Sequence, residues 1–190
     1  MIKNIAIAAV VALGALLAYA ATRPNTCHVE RHLTIAASPE RLHPLINDMH
    51  QFNTWNPYNR KDPNMKGQYS GPASGPGATY DFQGNKDVGK GRIEVTGSSP
   101  HEVDMSLDML EPFEGHNAVA FKLKPQGQAT EVTWAMHGPS PSIARLVGVF
   151  IDMDHMIGRD FEAGLANLKA QAEGPSHRSD APHNPRGTQS

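Results

Sequence analysis

Apolar and polar positions change their spacing along this chain, and each change marks an element. Cys27, Val29, Leu33 and Ile35 alternate with His28, Glu30, His32 and Thr34, which predicts a half-buried strand. Arg31 falls on the apolar side of that alternation. Ser38-Pro39-Glu40-Arg41 reads as a helix start, with Ser38 at the N-cap and Pro39 at the first helical position. Leu42, Leu45 and Ile46 follow at helical spacing, and the helix is predicted to end near Asn47-Asp48. Phe52, Trp55 and Tyr58 predict a second short stretch, helical or irregular, around Pro57. Asn59 to Gly77 reads as loop, with a short strand near Met65 to Tyr69.

Strands then succeed one another. Ala78 to Gln83 carries Tyr80 and Phe82 on one face, and Gly91, Ile93 and Val95 share a face of the next. Val103, Met105, Leu107 and Met109 alternate with Glu102, Asp104, Ser106 and Asp108, the clearest strand in the chain. Val119, Phe121 and Leu123 mark another, and Val132, Trp134 and Met136 the last. Short turns rich in Gly, Pro and Asn between them predict an antiparallel meander. Beyond Gly138-Pro139-Ser140-Pro141, an apolar stripe from Ile143 through Phe150, Met153, Ile157, Phe161 and Leu165 to Leu168 predicts one long helix over Ser142 to Gln171. Gly148, Gly158 and Gly164 interrupt it at about 1 kcal/mol each against alanine, which leaves room for a kink. Strand, short helices, meander and long helix make a two-layer α+β domain, a curved sheet on a helix with a cavity between them.

The ends differ from the middle. Ile5 to Ala21 is an uncharged run of roughly 17 residues, at the lower limit for a spanning helix. Residues 1–24 therefore read as a retained single-pass membrane anchor, with the domain on the exterior, periplasmic side. Ala18-Tyr19-Ala20 fits a small-x-small cleavage site, which leaves a cleaved signal and a secreted or periplasmic domain as the alternative. Cys27 follows Pro24-Asn25-Thr26, not a lipidation context, and reads as a small strand hydrophobe. Residues 173–190 contain no large apolar side chain and are expected to be a disordered tail. Residues 27–172 form the domain.

Composition narrows the function. Lys plus Arg number 17 against 19 for Asp plus Glu, so a net charge of -2 supplies no field for gripping nucleic acid. A single cysteine excludes an intramolecular disulfide. Gly84-Asn85-Lys86-Asp87-Val88-Gly89-Lys90-Gly91 nearly matches a phosphate loop, but Gly91 replaces the magnesium-binding hydroxyl and a strand follows instead of a helix. Gly71, Gly75 and Gly77 read as turns, and no Gly-x-Ser-x-Gly elbow is present. His28 and His32 lie about 13 Å apart on one strand and cannot share a metal. Asp152, Asp154 and His155 cluster on the long helix without a second ligand pair. No metal and no cofactor is expected.

The cavity wall is the remaining place for chemistry. Met105, Met109, Met136, Met153 and Met156 lie on the strands and helix that would form the core. Core packing is the plainer reading, and a pliable lining for an apolar ligand the sharper one. Trp55, Tyr58, Tyr80, Phe82, Phe113, Phe121, Trp134 and Phe150 are candidates for the same wall. Arg31 and His116 are its candidate polar groups, though Arg31 also reads as an ion-paired or snorkelling side chain.

Several stretches together resemble one family: Val29-Glu30-Arg31 through Ile35-Ala36-Ala37-Ser38-Pro39-Glu40, Phe52-Asn53-Thr54-Trp55-Asn56-Pro57, Gly89-Lys90-Gly91-Arg92-Ile93, Thr130 to Met136, and Asp152 to Gly158 with Phe161 to Lys169. Their order is similar to that of bacterial polyketide cyclase/dehydrase-type proteins of the START/Bet v 1-like (SRPBCC) superfamily. The resemblance implies a helix-grip fold: a curved seven-stranded antiparallel sheet around a long C-terminal helix, with two short helices after the first strand. It implies binding or transport of a lipid- or polyketide-like molecule. It does not assign catalysis, because such folds host many functions. Three functions follow: a membrane-tethered or exported carrier of a hydrophobic small molecule, a cyclase- or dehydratase-type enzyme using Arg31, His116 or an aspartate of the long helix, and a stress-response interaction module. The carrier is favoured.

Overall fold

The computed structural model describes residues 26–139 and 153–174, with scattered positions between residues 3 and 22. Strand β1 (Thr26–Ile35) leads into three short helices, α1 (Pro39–Asn47), α2 (Met49–Trp55) and α3 (Tyr58–Lys61). Strands β2 (Lys66–Ser70), β3 (Thr79–Gln83), β4 (Lys90–Ser99), β5 (Glu102–Glu111), β6 (Gly115–Gln126) and β7 (Ala129–Pro139) follow. Helix α4 (Met153–Glu173) closes the domain.

The strands form one antiparallel sheet in the order β1-β7-β6-β5-β4-β3-β2. Every neighbour is a hairpin partner except β1, which returns to pair with β7. Alternation decides which side is buried: Val103 and Met105 of β5, Val119, Phe121 and Leu123 of β6, and Val132, Trp134 and Met136 of β7 turn inward. Two register shifts between β4 and β5, at Lys90/Gly91 and Val95/Gly97, bend the sheet around its contents. Leu42 and Ile46 of α1, Met49, Phe52 and Trp55 of α2, and Phe161, Leu165, Leu168 and Ala172 of α4 fill the concave side.

The short helices differ slightly from expectation. There are three, not two, because Tyr58–Lys61 adds a single turn. Ser38 occupies the N-cap of α1 without a side-chain cap bond. Asp48 caps α2 instead, its carboxylate accepting from the amides of His50 at 2.8 Å and Gln51 at 3.1 Å.

Helix α4 lies along β1. Arg31 donates from Nε to Glu162 at 3.0 Å and from Nη2 to Asp154 at 3.0 Å. Further along, Lys169 reaches the Thr34 carbonyl at 3.1 Å and Glu173 accepts from the Ala36 amide at 2.7 Å. The helix runs unbroken through Gly158 and Gly164. Both glycines mark close approaches: a side chain on Gly158 would enter the Arg31 guanidinium, and one on Gly164 would meet Trp134 Cζ3 at 2.5 Å and Pro57 Cδ at 3.0 Å.

Most of the predicted anchor, the beginning of the predicted long helix with Gly148, Phe150 and Asp152, and the predicted tail beyond residue 174 lie outside the described residues. Among the described residues no helix is long and apolar enough to cross a membrane. The described positions within 3–19 are helical and exposed.

Candidate functional site

Sheet and helix do not meet everywhere. At one end of the barrel-like space they are joined by aromatic rings. Phe52, Trp55, Phe121 and Trp134 interlock, mostly edge to face, with centroids 4.9 to 6.1 Å apart. Trp134 then lies flat on Phe161 of α4. Beyond that wall the sheet and α4 diverge around a cavity of about 780 Å³, inside the range of roughly 300–1,000 Å³ usual for small-molecule sites.

The strand ends place the cavity. Cys27 comes from the start of β1, Pro139 from the end of β7, Gly115 and Asn117 from the start of β6, and Met109 from the end of β5. The β5–β6 turn gives Pro112, Phe113 and Glu114, the β3–β4 turn gives Lys86, Asp87 and Val88, and the first turns of α4 give Met156, Ile157 and Asp160. The deeper wall is apolar: Tyr80, Phe82, Ile93, Leu107, Val119, Trp134, Met136 and Phe161. Phe113 and Met156, 49% and 48% exposed, stand where the cavity opens to solvent.

One polar cluster is set into this wall. Helix α3 presents Tyr58 and Lys61 to Asp160 of α4. Lys61 Nζ meets the Asp160 carboxylate at 2.6 Å and lies 5.0 Å from the centre of the Tyr58 ring. The Tyr58 hydroxyl hydrogen-bonds Asp160. Burial pushes the Tyr58 phenol far above its ordinary range, and the Asp160 charge adds to the shift, so the hydroxyl stays a neutral donor. Beside it, Asn59 donates from Nδ2 to the Asn53 carbonyl at 2.6 Å and leaves its Oδ1 buried without a partner. Trp134 Nε1 is likewise buried and unpartnered. A buried donor and a buried acceptor left unmet each carry a desolvation cost of about 1–3 kcal/mol. Burial also raises the Cys27 thiol, with the Asp154 charge a second cause, so the sulfur is a protonated, weakly nucleophilic part of the wall.

Of the residues singled out from sequence, Tyr58, Tyr80, Phe82, Met109, Phe113, Trp134 and Met136 line the cavity. Trp55, Met105 and Phe121 face the same way but are sealed in the core, Trp55 and Phe121 as members of the aromatic wall itself, with Trp55 Nε1 held by the Leu45 carbonyl at 2.7 Å. Arg31 is spent on its two carboxylates between β1 and α4. His116 points out from the convex face, 80% exposed at its side chain, against Asp108 at 2.6 Å. Phe150 lies outside the described residues, and of Met153 only the backbone is described. Sequence reading missed Asn59, Lys61, Ile157 and Asp160. Asp160 alone left a trace, an acid beside Ile157 and Phe161 of the apolar stripe.

Among the described residues no group of three or more His, Cys, Asp or Glu side chains is placed to hold a metal. The arrangement can enclose an apolar body and hydrogen-bond a polar oxygen near Tyr58 and Asn59.

This is a helix-grip domain with a ligand-sized cavity. Residues 26–173 match the model of the family "Polyketide cyclase / dehydrase and lipid transport", and the chain belongs to that family. Solved structures share the fold. Protein CV1439 from Chromobacterium violaceum is 16% identical with a TM-score of 0.57, covering 80% of this chain and 100% of that one. Ara h 8.0201 is 12% identical with a TM-score of 0.58, covering 79% and 99%. DynU16, from the dynemicin biosynthetic locus, is 15% identical with a TM-score of 0.54, covering 80% of this chain and 48% of its own. No curated protein matches the sequence.

Proposed function

We propose that this domain carries a hydrophobic small molecule bearing at least one polar oxygen, lipid- or polyketide-like, and that residues 5–21 hold it at a membrane with the domain on the exterior side. The observation that carries the reading is the cavity of about 780 Å³ whose apolar wall is broken by the cluster of Tyr58, Lys61 and Asp160. Family membership and the uncharged N-terminal run support it. Titrating the full chain with a fluorescent fatty-acid probe tests it: saturable binding is expected, weakened when Ile157→Trp narrows the cavity. Absence of saturable binding in the folded wild type overturns it. A reporter fused after Gln171 and detection of the intact N-terminus test the tether and its orientation.

The same cluster favours a second reading, a cyclase- or dehydratase-type enzyme, because it sets titratable groups into an apolar wall. Asp160→Asn with unchanged turnover on a family substrate would exclude Asp160 from it.

A further inference from the structure

The chain enters the domain at the cavity's open end. Thr26 begins β1, and Cys27, the next residue, is already on the cavity wall. Four residues, Thr22 to Asn25, separate β1 from the uncharged run that ends at Ala21. Fully extended, that connection reaches at most about 18 Å. Strand β1 has ten residues, so the opposite pole of the sheet lies a further ~33 Å away. A run seated in a bilayer therefore holds the open end near the lipid surface and keeps the opposite pole out of reach.

The open end is also where the domain leaves apolar side chains in solvent. Among the described residues of the domain, the large exposed hydrophobics are Tyr69, Leu110, Phe113 and Met156, and three of the four stand at this end. Phe113 and Met156 flank the opening, and Leu110 leads into the same β5–β6 turn. The charges around them are mixed: Lys86 neighbours Asp87, Lys90 pairs across the strands with Glu111, and Glu114 adds one acid beside Phe113. Such a rim attracts neither sign strongly, and apolar contact dominates. Within the run itself, the described side chains of Ile7, Val10 and Val11 are exposed and unburied by the domain.

We propose that this rim is a lipid-docking surface. Leu110, Phe113 and Met156 enter the headgroup layer of the membrane that holds the N-terminal run, and the ligand passes between bilayer and cavity without crossing water. The proposal rests on the tethered-carrier reading above. Its occupant is the lipid surface because the connection is too short to leave the rim far from it.

The test uses the full chain in phosphatidylcholine vesicles, in a Cys27→Ser background. Single fluorophores are placed at Phe113→Cys, Met156→Cys and, at the opposite pole, Gln126→Cys. Quenching by headgroup-labelled lipid is expected at 113 and 156 and not at 126, with iodide giving the reverse order. If the chain floats with the vesicles while all three positions are quenched by iodide alone, the docking is overturned and the tether stands. Shielding at 113 that persists in detergent at low protein concentration assigns the rim to residues 140–152 of the same chain, and shielding that depends on protein concentration assigns it to a second copy. Both outcomes overturn the proposal. A chain that does not float overturns tether and docking together, while probe binding in solution still decides the cavity. Leu110→Asp, which does not line the cavity, is expected to slow probe uptake from vesicles about tenfold, the factor carried by losing burial of a leucine side chain, with equilibrium binding from solution unchanged. Uptake at the wild-type rate overturns the proposal.

Discussion

Trp134 of the sheet lies on Phe161 of the helix with ring centroids 4.1 Å apart and planes 8° from parallel. This stack divides the sealed aromatic core from the cavity, and both rings line the cavity side. It exists because Gly164, one turn along from Phe161, has no side chain to hold the indole away. Gly164→Ala therefore pits a helix-propensity gain of about 1 kcal/mol against overpacking that costs typically 1–3 kcal/mol. The midpoint of urea unfolding should fall. An unchanged or raised midpoint would show that Trp134 and Pro57 yield without cost.

Asp160 is partnered by Lys61 and Tyr58 but remains partly exposed. Asp160→Asn should change stability by no more than about 1 kcal/mol, as for ion pairs near solvent. Its effect should appear in selectivity. In competition titrations, affinity for a hydroxylated apolar probe should fall relative to that for a plain hydrocarbon of similar size. Equal changes for both would remove the cluster from ligand recognition.

Cys27 is the chain's single cysteine and lies on the cavity wall. Its raised pKa keeps it protonated at neutral pH, so alkylation should be slow and should accelerate with pH. A saturating apolar ligand should slow it further in the folded protein. A rate indifferent to ligand would place the bound molecule elsewhere.

The Tyr58 phenol is pushed up by burial and then by Asp160, from an ordinary value of 10.0. The unfolded chain ionises this tyrosine near its ordinary value while the folded chain does not. Its contribution to stability is complete below that pH and is lost as pH rises toward the folded value. Tyr80, raised by burial and then by Tyr69, adds in the same direction. Thermal melting between pH 9 and 11.5 should show a decline that Tyr58→Phe makes shallower (the window follows from the tyrosine reference value). A decline of equal slope in the variant would assign it to other groups.

The meander was legible because period-two alternation is strict where one face is buried, as from Val103 to Met109. The short strand near Met65 to Tyr69 was legible only to within one residue, and it is exposed along its whole length. What alternation does not encode is depth along a shared face. Met105 and Met109 point the same way from β5, yet Met105 is sealed in the core and Met109 lines the cavity. The difference is made by the aromatic wall and by helices brought there from elsewhere in the chain. His116 is a different case: the alternation that turns Val119 inward already turns His116 outward. The Lys61–Asp160 pair joins residues 99 positions apart, so no local spacing could announce it.

The cavity has a thermodynamic consequence as well as a spatial one. Its wall atoms have no protein neighbours on one side and forgo the dispersion contacts of a close-packed interior. A molecule that fits supplies those contacts, and binding only the folded chain adds about 2.7 kcal/mol at a hundredfold excess over Kd. A gain of that size changes how often the chain opens to proteases, and thereby how much of it persists. The abundance of this protein would then follow the supply of its ligand, rising when the molecule is plentiful and falling when it is scarce, with no dedicated regulator.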